Sequence, residues 1–148
     1  MEIRSAAAKD VPYIFDLIKK LALYEKAPEQ VTNTSENLHY DLFVAPICEA
    51  IVAEENEEIL GFALYYTSYS TWKGRCLYLE DFYVKEKCRK LGIGKMLFDE
   101  VVRIAKVKKV KRMDWQVLEW NEPGLQFYKK ENATLDSEWV NGRLFFEE

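Results

Sequence analysis

The chain has 148 residues, a usual length for one globular domain and too short for two substantial ones. Hydrophobic residues make up 49% and charged residues 31%, a composition that excludes intrinsic disorder as the main state. No apolar run approaches the roughly 18 residues of a membrane span, and the first residues do not form a signal peptide. We therefore expect a soluble, cytoplasmic protein without a membrane partner.

The cysteine and histidine content argues against a metal centre. Cys48, Cys76 and Cys88 are widely separated and form no CxxC pair, which argues against a disulfide framework and a zinc site. His39 is the one histidine of the sequence, so a histidine-based metal cluster is excluded and a Ser–His–Asp triad would depend on that residue alone. We expect no bound metal and no catalytic role for His39.

Charge is distributed unevenly along the chain. The net charge is −4, from 21 basic and 25 acidic residues. The first 60 residues carry 5 basic and 12 acidic side chains, a balance of −7, whereas residues 85–130 carry 13 and 6, a balance of +7. This asymmetry indicates either ligands of opposite charge or solvated basic helix faces. The basic run at residues 106–112 ends a predicted helix, where cations stabilise the helix dipole, and we expect no nucleic-acid partner.

Hydrophobic periodicity predicts alternating strands and helices without an internal repeat. Helices are expected at residues 11–24, 35–43, 91–106 and 123–130. Strands are expected at residues 2–6, 47–55, 59–69, 75–84, 113–118, 133–135 and 143–146. The order β-α-α-β-β-β-α-β-α-β-β is that of an α+β (mixed α/β) fold. Because no linker interrupts it, we expect one domain over residues 1–148.

A glycine-rich turn is the first motif that indicates chemistry. The sequence Arg89-Lys90-Leu91-Gly92-Ile93-Gly94-Lys95 follows an apolar strand and opens the next helix. Glycine lets a backbone approach a ligand closely, and the unpaired N–H groups of a helix start attract phosphate. The turn is not a Walker A loop, because Met96 stands where Ser or Thr would follow the lysine. It is not a GxGxxG turn either, because Leu97 occupies the position of the third glycine.

The second motif is the segment Asn121-Glu122-Pro123-Gly124-Leu125-Gln126-Phe127-Tyr128. Asn121 and Pro123 form a sound helix start after a strand. Tyr128 lies two turns along that helix and is able to face the same crevice as the glycine turn. Core packing is nevertheless the commoner role for a tyrosine.

Together the two motifs carry a family resemblance. RxxGxG at residues 89–94, followed by NxxxxxFY at residues 121–128, resembles the GCN5-related N-acetyltransferase (GNAT) superfamily. More narrowly, the chain is similar to the diamine (spermidine/spermine) and thialysine acetyltransferases, in the blocks at residues 24–25, 61–66, 77–84 and 119–123. The resemblance implies a single domain with a mixed, mostly antiparallel, twisted sheet and helices on both faces. It also implies a homodimer.

The resemblance implies acetyl-CoA as the cofactor. The strand before the glycine turn would lend backbone groups to the pantetheine arm, here from Phe82, Tyr83 and Val84. The turn would bind the pyrophosphate through its backbone N–H groups and its cations, which assigns to the cofactor Arg89, Lys90, Leu91, Gly92, Ile93, Gly94 and Lys95. The side chains of Asn121 and Tyr128 would reach the cofactor near its thioester.

The implied reaction is direct attack of a neutral primary amine on the thioester carbonyl. Tyr128 resembles the family's general acid for the departing thiolate, and Glu80 is expected to take the amine proton through water. We expect Tyr78 near Glu80 on the same face of a strand of period 2. The candidates for binding a small, polyamine-like substrate are Tyr24, Glu25, Glu80 and Asp81. Carboxylates attract a diamine but also raise its pKa, so a base is needed.

Other functions stay open on the sequence alone. An amino-acid acceptor such as lysine or thialysine would need a cation for its carboxylate, which Arg75 or Arg143 could supply. A protein N-terminus is another acceptor. From a different class, the chain could be a non-catalytic acyl-CoA-binding module, although retention of Tyr128 and Glu80 argues against it.

Three positions depart from the family pattern. Lys90 stands where glycine is common, and Gly124 stands where alanine or a small hydroxyl residue is frequent. Asn132 occupies the place of the usual glycine after the helix that contains Tyr128. Because asparagine tolerates the left-handed conformation, we expect it to end that helix in the same way.

Overall fold

The computed structural model describes residues 1–146, in which one sheet contains five strands. The strands are β1 (Glu2–Ser5), β2 (Glu49–Glu55), β3 (Glu58–Ser70), β4 (Gly74–Val84) and β5 (Arg112–Asp114). They lie side by side in chain order. The first four are antiparallel, and β5 is parallel to β4. The prediction of a mixed, mostly antiparallel sheet is therefore confirmed.

The helices follow the predicted periodicity closely. They are α1 (Val11–Tyr24), α2 (Ser35–His39), α3 (Ile93–Val107) and α4 (Glu122–Lys130). The α2 helix starts at Thr34, whose hydroxyl oxygen accepts a hydrogen bond from the Asn37 N–H. It continues directly into a π-helical turn at Tyr40–Val44, so the helical segment ends where the sequence predicts.

The end of the chain differs from the prediction. No residue between 133 and 146 is in a strand, so the two strands expected at residues 133–135 and 143–146 are wrong. The strand expected at residues 113–118 ends at Asp114. A segment of three or four residues becomes a strand only where a neighbouring edge pairs with it, and local composition does not reveal that edge.

The chain divides into two compact units. The first, Met1–Gln116, contains the whole sheet with α1, α2 and α3, and the second begins at Val117 and contains α4. A single domain over residues 1–148 stays a prediction. Among residues 1–146, no helix combines the length and the hydrophobicity needed to cross a bilayer.

The first unit has a core on each face of its sheet. On one face, α1 and α2 bury their apolar stripes against β2 and β3, and Phe62 is fully buried there. On the other face, α3 packs closely on β3. A Cβ atom on Gly61 would lie 2.8 Å from the carbonyl oxygen of Tyr83 and 3.1 Å from Cδ1 of Leu97. Glycine at position 61 therefore permits the close approach of β4 and α3.

A buried ion pair connects β1 to the start of α1. The side chain of Asp10 accepts hydrogen bonds from Nη1 and Nη2 of Arg4 at 2.7 and 3.0 Å, and from the Ala7 N–H at 2.7 Å. Asp10 is only 2% exposed. Nε of the same arginine donates to Glu54 of β2 at 3.0 Å. One guanidinium thus holds two strands and the first helix together.

Replacing Asp10 with alanine should lower the free energy of unfolding by about 3 kcal/mol, because Arg4 would lose its buried partner. Urea unfolding at pH 7 measures this. The matched control is Asp16→Ala, which removes an exposed carboxylate that pairs with Lys20 on the surface of α1 and should cost less than about 0.5 kcal/mol. Equal losses in the two variants would contradict a central role for the buried pair.

Candidate active site

A β-bulge at Glu80 shapes the middle of β4. Tyr78 pairs with Tyr66 of β3, and Leu79 pairs with Tyr65, but the next pair joins Asp81 to Leu64. Glu80 is therefore the extra residue of the bulged strand. Bulges redirect side chains, and this one interrupts the alternation of the strand.

The bulge changes the alternation on which one expectation from the sequence rests. Strict period 2 predicts that Glu80 shares a face with Tyr78. Instead, Asp81 takes the register position opposite Leu64, which belongs to the core cluster under α1 and lies two residues before Tyr66. Asp81 thus joins Tyr78 on its register face, while Glu80 lies at the bulge and is exposed. The charge of Glu80 still raises the pKa of Tyr78, as expected if the two side chains lie near each other.

Three predicted substrate residues come together in the first unit. Glu25 caps the C-terminal end of α1, and Glu80 and Asp81 are neighbours on β4. Burial raises the pKa of Asp81 to about 7, and the negative charges of Glu80 and Glu25 add to the effect. Burial also raises the pKa of Glu25, again with a contribution from Glu80. We call Glu25, Glu80 and Asp81 the acidic cluster.

The described part of the chain supplies no cation to the acidic cluster. Among residues 1–146, none of the three carboxylates forms a salt bridge or accepts a side-chain hydrogen bond. Clustered carboxylates without a cation repel one another and bind protons more tightly. The arrangement is therefore suited to a cationic ligand.

Two tyrosines extend the acidic cluster along the same strands. The rings of Tyr66 and Tyr78 are stacked with their centroids 5.4 Å apart. Burial raises the pKa of both hydroxyl groups, and the charge of Glu80 raises them further. Tyr66 was not among the site residues predicted from the sequence. The signal was available, because a tight turn centred on Trp72 sets Tyr66 opposite Tyr78.

The glycine turn has the backbone of an anion site. Gly92 precedes the first turn of α3 with a left-handed φ of 81°, and no side chain caps that helix start. No acidic residue lies in the first turn, and Lys95 does. Nothing lies within 4 Å of the position that a Cβ on Gly92 would occupy. The N–H groups at the helix start therefore fit a phosphate group.

Lys90 also adopts a left-handed conformation, with a φ of 69°. This explains why glycine is common at the corresponding position of the family. A lysine tolerates that conformation at an energetic cost, and it brings a cation to the turn. Lys90 and Leu91 are both exposed, as a ligand-binding turn requires.

The end of β4 extends beyond its pairing with β5. Pairing with β5 stops at Tyr78, which lies opposite Asp114, and β4 continues to Val84. Phe82, Tyr83 and Val84 pair with β3 on the other side only, among the described strands. This part of β4 thus extends beyond its pairing with β5, which fits a strand that lends backbone groups to a pantetheine arm.

Arg89 has contacts that the sequence did not predict. Its Nε donates to the carbonyl oxygen of Val84 at 3.1 Å. Its guanidinium carbon lies 5.2 Å from the ring centroid of Tyr24 and 5.2 Å from that of Tyr83. These are cation–π distances. Arg89 therefore connects the glycine turn to β4 and to the last residue of α1.

The second unit contains the remaining predicted residues. Oδ1 of Asn121 accepts a hydrogen bond from the Gly124 N–H at 3.2 Å, so Asn121 caps α4. A Cβ on Gly124 would lie 2.7 Å from Nδ2 of Asn121, which makes glycine suited to this cap. Tyr128 is buried. Asn132 has a φ of 64° and ends α4 as expected.

Comparison with known proteins identifies the family. Residues 13–132 match the model of the acetyltransferase (GNAT) family. This span contains the acidic cluster, the glycine turn and α4. The chain belongs to the GNAT family. The prediction of an N-acetyltransferase is therefore confirmed.

Individual relatives agree with this assignment. The thialysine N-epsilon-acetyltransferase of Bos taurus is 40% identical over 136 residues, which are 86% of this chain and 80% of that protein. The spermidine/spermine N(1)-acetyltransferase-like protein 1 of Homo sapiens is 35% identical over 89% of this chain, but only over 20% of its own length. The predicted similarity to diamine and thialysine acetyltransferases is confirmed.

Solved structures support the fold. An aminoglycoside acetyltransferase from an uncultured soil metagenomic sample superposes with a TM-score of 0.80 over 99% of this chain and 96% of that one. Its sequence is 20% identical, so the likeness concerns the fold. A probable acetyltransferase superposes with a TM-score of 0.79 at 24% identity, over 100% of this chain and 99% of the other.

Replacing Asp81 with asparagine should stabilise the protein at high pH. The folded protein holds the Asp81 proton more tightly than the unfolded chain does, since the pKa rises from 3.8 to about 7. Stability should therefore fall as pH rises from about 4 to 7 and stay low above that range. Asparagine carries no charge and removes this loss, on the order of 4 kcal/mol at pH 8.

Thermal unfolding of the wild type and Asp81→Asn at pH 5 and pH 8 measures the difference. The stabilisation should be larger at pH 8. Asp99→Asn, in which an exposed carboxylate is lost from the surface of α3, should show no such dependence. A stabilisation by Asp81→Asn that is equal at both pH values would contradict the raised pKa.

Proposed function

We propose that this protein transfers an acetyl group from acetyl-CoA to a primary amine of a small molecule that carries more than one positive charge, as a diamine or polyamine does. The acidic cluster carries the proposal, because its three carboxylates have no cationic partner among residues 1–146. A ligand with one ammonium group would neutralise only part of that charge. The relatives named for thialysine and for spermidine/spermine agree with a small amine acceptor.

Acetyl-CoA is proposed as the donor because the residues that would hold it fit its chemistry. The end of β4 beyond its pairing with β5, at Phe82, Tyr83 and Val84, would bind the amide-containing arm. The glycine turn would bind the pyrophosphate through the N–H groups of Gly92, Ile93 and Gly94, with further cations from its lysines. When bound, acetyl-CoA supplies the acetyl group as a thioester.

An acidic pocket requires a base for the amine. Carboxylates near an ammonium group stabilise its charged form, and a charged amine cannot attack a carbonyl carbon. Glu80 is our candidate for the base, because it is exposed at the bulge beside Asp81 and interacts with Tyr66 and Tyr78. It would accept the proton directly or through water. Tyr128 is our candidate for the acid, and its hydroxyl would donate a proton to the departing sulfur.

An amino-acid acceptor is the second candidate. The thialysine enzymes of Bos taurus and Caenorhabditis elegans are its support, at 40% and 30% identity. Such a substrate needs a cation for its carboxylate. Arg75 pairs with Tyr69, at a register position on the face of β4 opposite to Tyr78, whereas Arg143 is exposed in the second unit. We favour a diamine because the structure brings three carboxylates together in the acidic cluster, whereas it does not bring Arg75 to that cluster.

Two further expectations belong to the proposal. We propose a cytoplasmic location, as expected for an enzyme whose donor is an intracellular thioester. We also propose a homodimer, which would cover part of the exposed aromatic surface at Trp72, Trp139 and Phe146. Analytical ultracentrifugation of the full chain tests the second point.

The first experiment measures the release of free thiol from acetyl-CoA with a panel of amines. The panel contains spermidine, putrescine, lysine, thialysine and a peptide with a free N-terminus. We expect turnover with spermidine or putrescine, and we expect Glu80→Gln to lower kcat by about 100-fold. The control is Glu86→Gln, which changes an exposed residue before the glycine turn. Turnover with amino acids alone would contradict a diamine substrate. The absence of thiol release with every amine of the panel would overturn the proposed substrate class.

Replacing Tyr128 with phenylalanine should lower kcat by about 100-fold, because the departing sulfur would lose its proton donor. The dissociation constant for coenzyme A, measured by calorimetry, should change little. Tyr69→Phe removes an exposed hydroxyl from β3 and serves as the control. Unchanged turnover of Tyr128→Phe from pH 6 to pH 9 would remove this residue from the mechanism.

A further inference from the structure

The side chain of Arg89 joins three elements of the first unit. Its guanidinium carbon lies 5.2 Å from the ring centroids of both Tyr24 and Tyr83, and its Nε donates to the carbonyl oxygen of Val84 at 3.1 Å. A residue that only bound phosphate would need none of these contacts. They fix the position of the guanidinium before any ligand arrives.

Tyr24 is the direct neighbour of the acidic cluster in the chain. It is the last residue of α1, and Glu25 follows as the C-terminal cap. The turn is closed by hydrogen bonds from the Lys26 N–H to the Leu23 carbonyl and from the Ala27 N–H to the Ala22 carbonyl. Lys26 is left-handed there, with a φ of 63°. A lysine adopts that conformation at an energetic cost, which contacts made by the turn with other elements would offset.

Tyr83 and Asp81 make the second connection. They stand two residues apart on β4, at register positions opposite Phe62 and Leu64, which both belong to the core under α1. Arg89 therefore contacts one residue next to Glu25 and another next but one to Asp81. The distance between α1 and β4 at this point sets the distance between the carboxylates on them.

We infer that Arg89 is a positioning residue for the amine substrate, because it holds the C-terminal turn of α1, and with it Glu25, against the end of β4. The inference rests on the proposed function, since the position of Glu25 affects the substrate only if the acidic cluster binds the amine. Arg89 also connects the residues that would bind the donor with those that would bind the amine. Arg89 belongs to the turn that would bind pyrophosphate, so order in that turn is coupled to order in the amine site.

The contacts require arginine in particular. A guanidinium group is planar and lies well over aromatic rings, and its Nε–H can donate to a carbonyl oxygen at the same time. A lysine ammonium keeps the charge but cannot make this combination of contacts. The Nη atoms of Arg89 have no hydrogen-bond partner among residues 1–146, so they remain able to donate to an anion.

Amide hydrogen exchange tests the hold on α1 without any ligand. In Arg89→Met, exchange at the amides of Glu25, Lys26 and Ala27 should be about fivefold faster, which corresponds to the loss of two exposed cation–π contacts. The first half of α1 should be unaffected. The control is Lys87→Met, which removes another cation just before the turn, where Lys85 still pairs with Glu58. Equal exchange in Arg89→Met and the wild type would overturn the inference.

A double-mutant cycle tests the effect on the substrate. The dissociation constants of spermidine and thialysine are measured by calorimetry without acetyl-CoA, for Arg89→Met, Tyr24→Leu and the double variant. Each single change should weaken amine binding about fivefold. The double change should be no worse than Tyr24→Leu alone, because loss of Tyr24 already removes the connection through which Arg89 acts, whatever Tyr24 itself contributes to amine binding. Arg89→Lys should not restore the affinity.

The outcomes separate this inference from the proposed function. If amine affinity is unchanged in Arg89→Met, or if the two single effects multiply in the double variant, Arg89 is not acting through Tyr24 and the inference fails. If the wild type itself binds neither amine, the proposed substrate class fails. The exchange experiment then still decides whether Arg89 holds the turn that carries Glu25.

Discussion

The antiparallel pairing of β3 with β4 is the constraint on which the first unit depends. Each of its features fixes another part of the molecule. The close approach at Gly61 admits α3 on one face, while Phe62 and Leu64 anchor α1 and α2 on the other. The bulge at Glu80 places a second carboxylate beside Asp81. The pairing with β5 then ends at Tyr78, before the part of β4 that we propose for the donor arm.

Much of this arrangement could be predicted from the sequence. Periodicity located the helices to within two residues at most ends, because amphipathic segments of 14 or 15 residues, as in α1 and α3, have an unambiguous pattern. The glycine turn was recognised because Gly92 and Gly94 lie between a strand and a helix. The acidic cluster followed from the family resemblance, and the structure brings Glu25, Glu80 and Asp81 together in the first unit.

The remainder depended on contacts between distant parts of the chain. Nothing in the local sequence of β4 marks the bulge, because a bulge is a property of the pair and not of one strand. The side chain of Arg89 was assigned to phosphate alone, because its tyrosine partners are 65 and 6 residues away in sequence. The prediction of two strands after α4 was wrong for a related reason. Short apolar segments near Leu135 and Phe146 resemble strands in composition, but pairing is decided elsewhere.

The raised pKa of Asp81 has a consequence for the thermodynamics of binding. With a pKa of about 7, this carboxyl group holds roughly half a proton at neutral pH. A cation that binds beside it favours the ionised form and expels that fraction to the solvent. Amine binding would thus acidify an unbuffered solution, and its apparent enthalpy would depend on the ionisation enthalpy of the buffer. Protons and a bound amine would compete for the same carboxylates, so the affinity for such a ligand would depend on the acidity of the surroundings.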